Sequence, residues 1–92
     1  MFTFEYHDEK AKKNLIKHKA SFDECCSAFY DPALKDFFDD LHSDEEDRFL
    51  LVGRSNNDRI MLISYTVRDE IIRIISARPL RKNEVKKYGY GQ

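Results

Sequence analysis

Only two of the 92 residues are cysteine, Cys25 and Cys26, and they are neighbours. Adjacent cysteines rarely close an ordinary disulfide, so no disulfide framework holds the chain. Their spacing from the histidines supports neither a zinc site nor a thiol nucleophile. Both read as small apolar packing residues. Glycine is almost as scarce, with three in all. Gly53, Gly89 and Gly91 cannot make a phosphate-cradling or dinucleotide-binding fingerprint. The acidic run at 39–47 lacks the glycine-bearing pattern of a calcium loop. No apolar run approaches the ~20 residues that cross a bilayer. The opening Met1-Phe2-Thr3-Phe4-Glu5 lacks the basic start and apolar stretch of a secretory leader. There is no internal repeat and no low-complexity linker. These absences lead to the expectation of one domain over 1–92, in the cytoplasm, with no membrane, metal or cofactor.

What is present centres on Ile71-Ile72-Arg73-Ile74-Ile75-Ser76-Ala77-Arg78. This run is apolar, β-branched and interrupted by two arginines, and it predicts an interior strand covered on both faces. Pro79 follows and suits the first turn of a basic helix. Charge is divided along the chain. Residues 1–47 hold six basic and thirteen acidic side chains, −7, and residues 48–92 hold ten and four, +6, in agreement with the overall −1. Either the halves attract each other in the fold, or the basic half faces a polyanion.

The alternation at residues 2–6 predicts a strand, and Asp8 caps a helix to about His18. On that helix Ala11, Asn14, Leu15 and His18 share a face. Asn14 and His18 then either bond nearby backbone or reach a cleft. Ser21-Phe22-Asp23-Glu24 has the spacing of a capping box for a second helix. Its Phe22, Cys25, Cys26 and Phe29 fall on one face, and Asp31-Pro32 ends it. Residues 33–38 form a candidate strand, and the acidic run reads as an exposed loop. Three strands follow at 48–55, 59–67 and 71–77, separated by short turns that imply an antiparallel meander. On the last strand, strict alternation sets Arg73 with Ile75 and Ala77, opposite Ile72, Ile74 and Ser76. A basic helix from Pro79 to about Tyr88 closes the chain. The order β-α-α-β-β-β-β-α is that of an α+β domain.

Arginines that project from strands, with His18, Glu46 and Tyr88 as partners, have the makings of RNA cleavage without metal. That chemistry needs a base for the 2′-hydroxyl, cations for the developing phosphorane charge and an acid for the leaving oxygen. Arginine holds phosphate oxygens bidentately, and histidine exchanges protons near neutrality. The same arginines also make ordinary salt bridges with Glu46 or Asp47.

Several segments match one family pattern in order. They are Phe4-Glu5-Tyr6 with Lys10, Asn14 and Lys17-His18; Ser21-Phe22-Asp23-Glu24 with Phe29, Asp31 and Pro32; His42-Ser43, Glu46, Arg48 and Gly53-Arg54-Ser55; Tyr65-Thr66 with Arg68; and Arg73-Ile74-Ile75-Ser76-Ala77-Arg78, then Glu84 and Tyr88. Over nearly its whole length the chain resembles the BrnT toxins of BrnT/BrnA toxin–antitoxin systems. The resemblance implies a RelE/ParE-like α+β fold and RNA cleavage that arrests translation and growth. It also implies neutralisation by a BrnA-like ribbon-helix-helix antitoxin, through which alone the complex would reach operator DNA. A homodimer, or a hetero-oligomer with the antitoxin, is expected. Carried over by position, the catalytic candidates are His18, Arg48, Arg54, Arg73, Arg78 and Tyr88. Arg73 and Arg78 would hold phosphate, and His18 or Tyr88 would move protons. Tyr6, Lys10, Arg81 and Lys82 are the RNA-binding candidates. Arg78→Ala is expected to abolish cleavage without unfolding the chain. Three positions depart from the pattern: Tyr6 replaces a frequent Trp, His7 an Asp, and Lys19 a Gly. If the turn at Lys19 needs positive φ, a non-glycine residue is strained there. The alternatives are an inactive BrnT-like module that serves as antitoxin partner or corepressor, and a ParE-like inhibitor of DNA topology.

Overall fold

The computed structural model describes residues 1–91. Its elements are β1 (Thr3–Tyr6), α1 (Asp8–His18), α2 (Phe22–Ala28), β2 (Lys35–Phe38), β3 (Phe49–Arg54), β4 (Ile60–Arg68), β5 (Ile71–Pro79) and α3 (Lys82–Tyr88). They build one sheet in the order β1-β5-β4-β3-β2. Strands β2 to β5 form the antiparallel meander, and β1 pairs parallel to β5. The α+β class, the two N-terminal helices and the single C-terminal helix are as the sequence predicts. The acidic segment is not wholly a loop. Asp40–His42 forms a 3-10 turn, and Asp39 next to it is buried and bonded to His42 Nδ1 at 2.8 Å.

One face of the sheet packs against α2. Phe22, Cys25 and Phe29 meet Leu51, Met61, Ile63, Ile72 and Ile74 there, all nearly inaccessible to water. Each such aliphatic or aromatic side chain contributes about 1.5–3 kcal/mol on burial. The helix comes so close at Gly53 that a Cβ would lie 2.6 Å from the Ala28 carbonyl oxygen. The cysteines belong to this layer. Burial pushes the Cys25 thiol up to about 12 and Cys26 to about 11, which keeps both protonated. Ser21 caps α2 by accepting the Glu24 N–H at 3.0 Å. The Glu24 carboxylate does not complete the box. It accepts from Ser55 Oγ at 2.6 Å and pairs with Arg59, which ties α2 to the β3–β4 hairpin.

The phase of β5 is the main departure from expectation. Ser64 pairs with Ser76, but the next residue, Tyr65, pairs with Ile74. Ile75 is thus an extra residue, a β-bulge, and bulges reset side-chain alternation. Before the bulge Ile72 and Ile74 face the α2 core, and after it Ala77 does. Arg73 and Arg78, five residues apart, therefore project from the same face of the sheet. Strict alternation would have separated them, and Ala77 would have stood with Arg73.

Strand β1 covers β5 only as far as Ile74. Helix α1 takes over along the remaining edge. The Asn14 side chain accepts the Ala77 N–H at 3.1 Å and donates to the Ala20 carbonyl at 3.0 Å. The backbone reading of Asn14 is therefore the one realised. Helix α1 ends at Lys19, which is left-handed with φ 53° and takes the position that glycine favours. The turn thus takes positive φ with lysine in place and accepts the strain.

Pro79 does not open α3. It ends β5 opposite Met61, and Leu80 extends the ladder with an N–H bond of 2.8 Å to the Ile60 carbonyl. The sheet ladder thus outcompetes the helix start, which moves to Lys82 with Arg81 as the N-cap. The second face of the sheet is covered only at one end. Tyr90 and Tyr88 pack there on Val52 and Leu62. The rest of that face is an open groove. No helix among the described residues is long and apolar enough to cross a membrane.

Candidate active site

The open groove is crossed by successive rows of side chains. One row runs Val52–Leu62–Arg78 and the next Leu50–Ser64–Ser76. Phe49 pairs with Tyr65, so one step further Arg48 stands across from Thr66, which pairs with Arg73. Two concavities result, one at each end of the groove.

The first holds His18. Lys17, His18, Ser64, Ser76, Arg78 and Arg81 line a cleft of 380 Å³. Helix α1 lies along the β5 edge, so its last turn brings His18 round to the groove. Partial burial pushes the imidazole pKa below its usual value, and the positive charges of Lys17, Arg78 and Arg81 add to this. His18 is neutral at pH 7 and can accept a proton. The lining carries cations and hydroxyls but no carboxylate that faces His18. Such a lining favours phosphate and repels a divalent cation.

Arg78 is positioned by Glu84. Its Nη1 and Nη2 donate to the two carboxylate oxygens at 2.7 Å each, and Nη1 also donates to the Pro79 carbonyl at 3.2 Å. Arg78 holds the Glu84 carboxyl down to about 2, and Glu84 in turn raises the Arg78 pKa. Glu84 also accepts the Arg81 N–H at 3.0 Å, which starts α3. The pair therefore anchors the helix to the strand. The expectation that Arg78→Ala spares the fold does not survive this geometry, because the substitution strands a buried carboxylate.

The second concavity, of 590 Å³, lies at the other end. It is lined by Arg48, Arg68, Arg73, Glu46, His42, Asp44 and Glu45. Lys10 and His7 line an adjoining recess with Arg48 and Arg73.

The remaining sequence candidates lie elsewhere. Tyr6 alternates toward α2, where it donates to Asp23 at 2.9 Å and meets Phe22 edge-on. It is therefore on the far side of the sheet from the groove. Arg54 pairs with Asp58 at 2.9 Å in the β3–β4 turn. Tyr88 packs on Phe37, with ring centroids 5.7 Å apart, rather than lining the His18 cleft. Lys82 is exposed in the first turn of α3. Sequence reasoning missed Lys17 and Arg68 as site residues. Arg68 shares the face of Leu62, Ser64 and Thr66, so a strand extended by one residue beyond Val67 would have revealed it.

The family model described as "Ribonuclease toxin, BrnT, of type II toxin-antitoxin system" matches residues 6–84. The chain belongs to the BrnT family. Membership makes it a ribonuclease toxin of the type II toxin–antitoxin class and implies an antitoxin partner. A solved structure with the same fold is the ribonuclease toxin BrnT of Brucella abortus, with a TM-score of 0.66 and 20% identity, covering 89% of this chain and 100% of that one. No curated protein sequence matches. The BrnT match takes in His18, Arg48, Arg73, Arg78 and Arg81, so both ends of the groove lie within the family domain.

Proposed function

We propose that this BrnT-family chain cleaves RNA in the His18 cleft without a metal ion, and so arrests translation. The observation that carries the reading is a histidine of lowered pKa set among Lys17, Arg78 and Arg81 in a cleft of 380 Å³. His18 takes the proton of the RNA 2′-hydroxyl, whose oxygen attacks the adjacent phosphorus. Charge that develops on the phosphorane is met by Arg81 and by Arg78, which Glu84 holds in place. The bond from phosphorus to the 5′-oxygen breaks. The leaving oxygen takes a proton from Lys17 or from water, leaving a 2′,3′-cyclic phosphate and a 5′-hydroxyl. A BrnA-like ribbon-helix-helix antitoxin neutralises the toxin by covering the basic groove, and operator DNA is reached through that antitoxin alone.

The test is cleavage of total RNA by antitoxin-free protein in EDTA, with folded His18→Ala and Arg81→Ala beside it. The expected result is cleavage that survives EDTA and falls about 100-fold or more in His18→Ala. Activity lost to EDTA would refute the metal-free reading, and full activity in His18→Ala would remove the base. One observation favours a second reading, an inactive antitoxin partner: both Nη groups of Arg78 are committed to Glu84. Antitoxin binding by native protein that cleaves neither free nor ribosome-bound RNA would select it.

A further inference from the structure

The second concavity has no part in the reaction above, yet it gathers arginines from two adjacent strands and from the segment that leads into a third. Arg48 on the approach to β3, Arg68 on β4 and Arg73 on β5 converge on one cleft. Lys10 of α1 reaches the adjoining recess. Their counter-ions hold them loosely. Glu46 lies 3.7 Å from Arg48 Nε and 3.5 Å from Arg68 Nη2, and Glu5 lies 3.6 Å from Arg73 Nε. Well-formed charged hydrogen bonds are nearer 2.7–2.9 Å, and the Arg78–Glu84 pair meets that standard at 2.7 Å. Arg48 Nε is buried and has no hydrogen-bond partner. A buried guanidinium N–H that Glu46 approaches but does not hydrogen-bond, beside the exposed Arg68 and the half-exposed Arg73, leaves a place for an anion that fits better than Glu46 does. Asp44 and Glu45 also stand at the rim, but both are exposed and screened by solvent.

We propose that Arg48, Arg68 and Arg73, with Lys10, form a second phosphate subsite for single-stranded RNA, guarded by the Glu46 carboxylate. The proposal rests on the RNA-cleaving reading of the His18 cleft and adds the length and form of its substrate. Arg73 and Arg78 lie on one strand and one face, and because of the bulge their partners Thr66 and Leu62 are four residues apart, roughly 13 Å at the usual rise per residue. The Leu50–Ser64–Ser76 row joins the two clefts without a barrier of opposite charge. A flexible single strand with one phosphate at His18 therefore lays a later phosphate on the arginine row. Glu46 occupies the place of that phosphate in the free protein, and binding exchanges one for the other.

The experiment measures binding of a fluorescent 2′-O-methyl RNA decamer and trimer over a range of salt. The blocked 2′-oxygen prevents cleavage, so the result does not depend on catalysis. Arg68→Ala/Arg73→Ala, verified as folded, is expected to bind the decamer roughly tenfold more weakly at low salt. Its salt slope should fall by about 1.4, or about 0.7 for each phosphate of a single strand that the variant no longer neutralises. Glu46→Gln is expected to bind the decamer several-fold more tightly. Neither variant should alter trimer binding. Unchanged decamer affinity and slope in the double variant would overturn the proposal, as would an equal weakening on both lengths. So would native RNA binding with loss of the antitoxin complex, which would assign the row to the protein partner. Native protein that binds the decamer with the full slope yet cleaves no RNA would sink the catalytic reading and leave the subsite standing.

Discussion

Substituting Arg78 tests the structural reading of the site most directly. The Glu84 side chain is only 11% exposed, and Arg78 meets it with two hydrogen bonds of 2.7 Å. The carboxyl falls from an ordinary 4.5 to about 2, chiefly through Arg78. That difference stabilises the folded state by about 3 kcal/mol at neutral pH. The sign follows from a folded pKa below the unfolded one. The stabilisation is complete above 4.5 and is lost as pH falls from 4.5 towards 2. Arg78→Ala leaves Glu84 with the Arg81 N–H and little else. A loss of about 3 kcal/mol is expected, within the ~3–5 kcal/mol usual when one partner of a buried pair is removed. For a domain of this size it lowers Tm by roughly 12–24 °C. Thermal melts followed by circular dichroism at pH 7 and pH 3 provide the assay. Native protein should lose stability between the two pH values, while Arg78→Ala and Glu84→Gln should start low and change less. An Arg78→Met/Glu84→Leu double variant should recover most of the loss, since replacing both charges strands neither. If Arg78→Ala and Glu84→Gln both melt within about 1 kcal/mol of the native chain at pH 7, the pair does not anchor α3 and the reasoning fails.

Three further outcomes follow from individual side chains. Cleavage should need neutral His18, so its rate should fall only below the usual histidine pKa; Arg81→Ala, which removes one nearby positive charge, should move that acid limb upward in a pH–rate profile. Lys19→Gly should raise stability by about 1 kcal/mol in chemical denaturation, because φ 53° strains any residue with a Cβ. Asn14→Ala should cost about 2–4 kcal/mol, since it leaves the buried Ala77 N–H and Ala20 carbonyl without partners; native-state hydrogen exchange at Ala77 should quicken in step.

The element order was legible because it rests on local signals. The Ile71–Ala77 run could only be an interior strand, since it is apolar at both parities. Ser21 at the N-cap and Asp31-Pro32 after α2 fixed that helix through backbone chemistry that acts over a few residues. The family motifs were visible for a related reason: residues that do one job recur at one spacing. His18 was legible as a candidate, but its depressed pKa was not, because the burial that chiefly causes it exists only in the folded chain, and Arg78 and Arg81, which add to it, lie some sixty residues away in sequence.

Sequence alone therefore determined the class of fold, the Ser21 cap of α2, the inert cysteines and the family, but not the helix starts, since His7 rather than Asp8 precedes α1 and Arg81 rather than Pro79 opens α3. Only the tertiary structure decided which arginines work together. The bulge at Ile75 turned Arg73 and Arg78 onto one face, and no local propensity marks the residue that will be left unpaired. Packing then separated their roles. Glu84 came within 2.7 Å of Arg78 and made it an anchor. Arg73 gained only Glu5 at 3.6 Å and stayed half-exposed beside Arg48 and Arg68. Charge acts through space, and its partners are set by strand register and by the helix that crosses the β5 edge.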